Sequence, residues 1–141
     1  MSKYDAHLLI RSRFITNVET PLGGANLVVY ENQRPAVTDP TIAWVRFVVN
    51  WGESKQVMTG GLSGTFRTAG VVEVQVFTPM ATGYKLSLQI SDVVDAAFKG
   101  FKFGGLEFFA SSINKGRPAE GWFMRNVSVP FIYDEQVAYA T

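Results

Sequence analysis

Cysteine is absent from the 141 residues. That excludes disulfides, thiol nucleophiles and thiolate metal sites. Stability must then come from the core, and a chain of this length buries about two thirds of its unfolded surface. Histidine occurs once, at His7. Metal sites and Ser/His triads need a histidine held by partners at defined spacing, and none surrounds His7. No charge sign dominates: 13 Lys and Arg stand against 12 Asp and Glu, for a net charge of +1. The basic stripe of a nucleic-acid binder is therefore missing. No apolar run approaches the roughly 20 residues that span a bilayer, and Leu8–Ile10 is too short for a signal core. These absences lead us to expect a soluble protein without membrane contact. There is no repeat at solenoid period.

What is present is a globular composition, 47% hydrophobic and 18% charged, read as one domain over residues 1–141. Tyr4–Thr20 has a helical stripe of Leu8, Ile10, Phe14, Ile15 and Val18, with Arg11, Ser12 and Glu19 turned away. Ser2 or Asp5 suits its start, and Pro21 with Gly23-Gly24 its end. Asn26–Glu31 reads as a short strand and Asn32–Pro40 as a loop. Ile42–Asn50 is a strand with Val45, Phe47 and Val49 on one face and Trp44, Arg46 and Val48 on the other. Gly70–Thr78 alternates Val72, Val74 and Val76 against Val71, Glu73, Gln75 and Phe77. Thr82–Lys99 is a second helix, with a stripe of Leu86, Ile90, Val93, Val94, Ala97 and Phe98. Short strands follow on both sides of Gly104-Gly105, then a polar loop over Ser112–Gly121. Trp122–Tyr133 is a closing strand in which Pro130 favours an edge or a bulge. Residues 134–141 read as a loose tail. Two helices with one apolar stripe each need a single sheet face. The expected fold is α+β, with both helices on one face of a mostly antiparallel or mixed β-sheet.

Between the two best strands lies Trp51–Ala69, with four glycines. A compact domain rarely keeps so long a connection without a use for it. Gln56–Met58 and Thr65–Arg67 suit strand extensions, with Gly60-Gly61 or Leu62–Gly64 as the turn. The segment then forms a hairpin arm over residues 51–69 whose Trp51, Val57, Met58, Leu62 and Phe66 have little core to bury them. Such residues either dock onto a partner or fold back on their own sheet.

Chemistry is harder to find. Asp92 and Asp95 fit a solvated helix face, and Glu53 and Glu73 are separated by the arm. Gly60-Gly61-Leu62-Ser63-Gly64-Thr65 lacks the Lys-Ser/Thr ending and the following helix of a phosphate loop. Leu62-Ser63-Gly64 lacks the setting of a nucleophile elbow. Phe101, Phe103, Phe108 and Phe109 with Lys99 and Lys102 suggest a base-stacking platform or, more simply, a strand with a buried Phe face. No catalytic, cofactor or metal residues are assigned.

Several segments together resemble a known family. They are Ile10-Arg11-Ser12-Arg13-Phe14, Val45-Arg46-Phe47, the glycine-rich arm, Arg67–Phe77 and Trp122–Asp134. The pattern is similar to the tail-terminator-like proteins of long-tailed bacteriophages, small tail-completion proteins, over nearly the whole chain. The resemblance implies a virion protein, assembled in the host bacterial cytoplasm, that forms a homo-oligomeric ring, usually a hexamer. The ring would cap the tail tube protein, end tube polymerisation and meet the head-tail connector protein, with DNA passing through its lumen unbound. Neck and head-completion proteins share similar folds and are the alternative. A small-ligand or single-stranded nucleic-acid module is a further one. The expected contact residues are Trp51, Lys55, Val57, Met58, Leu62, Phe66 and Arg67 on the arm, with Arg46 on the strand that leads into it.

Overall fold

The computed structural model describes residues 2–22, 28–31, 43–61, 63–79, 84–116 and 122–138. Its N-terminal helix begins with a reciprocal cap. The Asp5 N–H donates to Ser2 Oγ (3.2 Å) and the Ser2 N–H donates to Asp5 Oδ2 (3.0 Å), which satisfies two otherwise unpaired donors of the first turn. Helix α1 (Lys3–Phe14) then passes through a π-helical turn, Ile15–Glu19, into the short α2 (Thr20–Leu22). The wider turn, closed by the Thr20 N–H on the Ile15 carbonyl, changes which side chains point inward. Ala6, Ile10, Phe14 and Val18 are buried, as is Glu19, which was expected on the polar side. Leu8, expected in the stripe, is exposed. Glu19 and Arg11 face the Tyr30 hydroxyl, whose pKa is pushed up to about 12, first by burial and then by the Glu19 charge. Pro21 does not end the helix but lies within α2. The widened turn interrupts the ordinary hydrogen-bond ladder, which leaves a place for a residue without an N–H. The expected stop at Gly23-Gly24 and the loop Asn32–Pro40 lie outside the described residues, as does Ile42.

The sheet runs β1-β2-β3-β7-β5-β4, with β6 also on β7. Its strands are β1 (Val28–Tyr30), β2 (Trp44–Gly60), β3 (Ser63–Pro79), β4 (Lys102–Phe103), β5 (Leu106–Phe108), β6 (Ser112–Lys115) and β7 (Trp122–Ala138). β1 is parallel to β2, and all other pairs are antiparallel. Across the three long strands the register sets Phe47 beside Val74 beside Val127, and Val49 beside Val72 beside Val129. That row faces both helices, so Ile10, Phe14 and Val18 share one core with Ile90, Val94 and Phe98 of α3 (Lys85–Phe98). The fold is α+β, with its helices on one sheet face, as expected.

Several details differ from the sequence reading. α3 buries Ser87 and Ser91 and exposes Leu86. The serines can be buried because each finds a partner. Ser91 Oγ donates to the Ser87 carbonyl (2.7 Å), Ser87 Oγ donates to the Tyr84 carbonyl (2.9 Å), and the buried Arg125 donates from Nε to Ser87 Oγ (3.1 Å). Thr82, the expected start of α3, lies outside the described residues. Ser112–Lys115, expected as loop, is strand β6 along the inner half of β7. Pro130 is interior to the sheet rather than at an edge. It falls between the stretches of β7 that pair with β6 and β5, and its carbonyl accepts from the Phe109 N–H (2.9 Å). Its missing N–H points to the same side, where no ladder bond is interrupted. Asp134–Ala138, expected as a loose tail, continues β7 beside the outer half of β3.

Val74 has no solvent exposure and sits at the centre of this face. Val74→Asp buries an unpaired charge; we expect loss of the cooperative unfolding transition in a urea titration followed by Trp fluorescence.

Candidate assembly surface

The stretch between Trp51 and Ala69 is strand throughout, apart from the turn. β2 and β3 stay paired as far as Gly60 with Ser63, and Gly61 takes a positive φ (59°) of the kind tight hairpin connections use. β7 follows β3 along the same length, setting Ser63 beside Ala138. The arm is thus a three-stranded ribbon rather than an isolated hairpin. From Gly70 to Ser63 it extends seven residues, about 23 Å at 3.3 Å per residue.

A tightly packed row marks its base. Trp51 sets its ring edge-to-face on Phe131 (5.3 Å) and Tyr133 (6.4 Å). Gly70 lies beneath: a Cβ there would stand 2.5 Å from Phe131 Cζ and 2.9 Å from the Asn50 carbonyl oxygen. Next outward, Ser54 Oγ and Thr68 Oγ1 share a hydrogen bond of 2.5 Å. Beyond that the ribbon is mostly exposed. Two register shifts, between Trp51 and Ser54 and between Gln56 and Met58, bulge β2. Bulges of this kind bend and twist an edge strand.

The structure divides the expected contact residues. Val57 and Met58 are exposed near the tip, Met58 at 63%. Lys55 and Arg67 are register partners on the ribbon. Arg67 makes two bonds to Asp134, from Nε to Oδ1 (2.8 Å) and from Nη2 to Oδ2 (3.0 Å). Phe66 is only half-buried, opposite Gln56 and Glu135. Leu62 lies outside the described residues. One expectation is corrected, and one residue is placed away from the ribbon. Trp51 is not a free arm residue but packs at the margin of the core. Arg46 lies far from the tip, on the sheet face without helices, where its guanidinium sits 5.5 Å from the Trp44 ring and 5.7 Å from the Phe77 ring.

On that same face, at the base of the ribbon, is an open hollow of about 430 Å³. Trp51, Ala69, Val71, Phe109, Pro130 and Ile132 line it, and none of its lining residues is charged. Ala69 also borders a second hollow with Glu53, Lys55, Val57 and Arg67, so the two form a trough along the ribbon. The sequence reading missed the contributions of Phe109, Pro130 and Ile132, and the Asp134 partner of Arg67. One signal was available. Extending β2 and β3 outward requires something on the other edge of β3, and the residues after Tyr133 were the nearest source.

The other sequence candidates are scattered. Phe101 and Phe108 pack into the core while Phe103 and Phe109 are exposed, so the four rings form no single platform. Asp95 accepts from Ser111 and lies 4.0 Å from Lys99, while Asp92 is exposed. Gly60-Gly61 leads into a strand, not a helix. Among the described residues there is no group of three side chains placed to hold a metal ion.

No family model and no curated protein matches the chain. A solved structure of an uncharacterised protein is similar over all of this chain and 99% of its own, with a TM-score of 0.58 and 19% identity. That likeness extends over the full α+β arrangement and speaks for the fold alone.

The Arg67 guanidinium holds the Asp134 carboxyl below its usual range, against a smaller opposing effect of burial. A lowered carboxylate pKa stabilises the folded state above the ordinary value of 3.8, and that contribution is lost as pH falls through the folded value. The protection factors of the amides at residues 134–137, taken relative to the intrinsic exchange rate at each pH, should therefore fall below about pH 4 while those of residues 72–76 stay high. Gly70→Val should force Phe131 aside and cost about 1–3 kcal/mol, read as a lower urea midpoint together with a changed Trp fluorescence spectrum.

Proposed function

We propose that the chain is a structural assembly protein of the tail-terminator kind, which caps a phage tail tube as a ring and presents a joining surface to the head connector. The observation that carries the reading is the three-stranded ribbon. It places three strands of one fold in a projection that contributes little to the core, and Val57 and Met58 near its tip are exposed apolar side chains. Projections of this kind suit docking onto a neighbour. The segment resemblance over Arg67–Phe77 and Trp122–Asp134 supports the same reading, since these are the two strands that carry the ribbon beside β2. Within a ring, each contact would bury on the order of 800 Å² per partner if of standard size. A closed ring needs two different patches that meet head to tail, and the ribbon has a distinct tip and base. Its partners would then be further copies of itself, probed as a hexamer, the tail tube protein and the connector. The chain would reside in the virion after assembly in the host bacterial cytoplasm. A net charge of +1 is compatible with a lumen that lets DNA pass without holding it.

The test is electron microscopy of purified protein mixed with tail tubes. We expect capped tubes of limited length. Tubes that grow on unaltered in the presence of the protein would end the reading, and co-purification with the connector alone would favour the neck alternative. Replacing Gln56–Phe66 with a short turn and ending the chain after Asp134 removes the ribbon from all three strands. Circular dichroism and the urea midpoint should show an intact core, while capping is lost. Normal capping by the shortened protein would show that the ribbon is not the docking element.

A further inference from the structure

The ribbon carries two uncharged surfaces at opposite ends. The segment from Gln56 to Phe66 contains no charged residue, and Met58 near its tip is one of the most exposed apolar side chains. The hollow at the base is likewise lined without a single charge. Between them lies a charged belt: Glu53, Lys55 and Arg67 with its partner Asp134. A neutral knob and a neutral hollow match in polarity, since neither sets a charge against an apolar wall. They cannot meet within one molecule. Met58 pairs opposite Thr65, six residues along β3 from Val71 in the hollow, which is about 20 Å on a strand held by hydrogen bonds on both edges. From this we infer that the tip of the ribbon, with Met58 as its knob, seats in the hollow of a second copy of this chain.

The belt also sets the arrangement. A reciprocal pair would bring the Lys55–Arg67 row, which lies about midway between tip and hollow, against its own counterpart. Like charges would then face each other. A head-to-tail seating avoids this, and it leaves one tip and one hollow free on every growing assembly, as a ring or filament requires. The inference rests on the reading of the chain as a self-assembling protein and names the contact through which it assembles.

The absence of cysteine makes the contact directly testable. Met58→Cys and Ala69→Cys variants, both at exposed positions, are mixed in equal amounts and treated with a short bismaleimide linker. Crosslinked tip-to-hollow dimers should exceed either like pair by about tenfold, the ratio produced by a preference of about 1.4 kcal/mol. The double variant should give a ladder of species larger than dimers. Chance proportions in the mixture, or no crosslinking at the highest attainable concentration, would overturn the contact; a double variant that stops at dimers would overturn its head-to-tail sense. Independently, the Ala69→Arg variant should lose self-association in sedimentation while keeping its urea midpoint. Tip-to-hollow crosslinks in a protein that leaves tail tubes unchanged would sink the tail reading alone. Capped tubes without such crosslinks would sink the docking contact alone.

Discussion

The structure depends on one strand being paired on both edges. β3 lies between β2 and β7 from Ser63 to Phe77. Its inner half holds Val72, Val74 and Val76, all without exposure, and its outer half is the middle strand of the ribbon. Backbone groups in the interior of a protein need partners, and a strand with both ladders satisfied is the most economical way to meet that need. The same ladders that close the core therefore continue outward, holding the projection rigid where little apolar burial is left to stabilise it.

The changeover from core to ribbon takes place within a few residues. At the row of Trp51, Gly70 and Phe131 the sheet still has aromatic packing, and the absence of a side chain at Gly70 is what lets the Phe131 ring lie over β3. Just beyond, the first bulge shifts the register of β2. Among the described residues, β1 pairs with β2 only at Val45, Arg46 and Phe47, so the outer edge of β2 has no strand beside it farther out. A long straight edge of this kind invites uncontrolled pairing with other strands. Two bulges in that stretch interrupt the regular edge, which favours contacts through the ribbon's tip and face over strand addition. In the same region the Arg67–Asp134 pair ties the outer part of β7 to β3 through an exposed contact, of the modest strength that exposed ion pairs have.

How much of this was legible in the sequence varies with the physical cause. The alternation of Val45, Phe47 and Val49, and of Val72, Val74 and Val76, was plain because one buried face imposes a period of two. The α3 stripe was read in the right place but rotated. Leu86 was assigned inward by hydropathy, whereas Ser87 and Ser91 are buried because Arg125, from a strand 38 residues away, and nearby carbonyls satisfy them. A burial pattern that depends on a distant partner leaves no local trace. The π turn at Ile15–Glu19 had the same effect on α1, since a single wide turn alters the facing of Glu19 without altering composition. Residues 134–138 looked like a tail because Asp134, Glu135 and Gln136 are poor strand formers. They are strand because β3 offers them an open edge.

Thus the sequence by itself determined the class of fold, the two core strands and the hairpin between them. These follow from hydrophobic periodicity and glycine placement, which act over a few residues and are written locally. Tertiary structure alone decided that the hairpin has a third strand, that Trp51 belongs to the core margin and Arg46 to the far end of the sheet, and that a neutral hollow lies at the ribbon's base. That hollow gathers Trp51, Ala69, Phe109 and Pro130 from four separate parts of the chain. Only strand register brings such residues together, and register is a property of paired strands, not of any one of them.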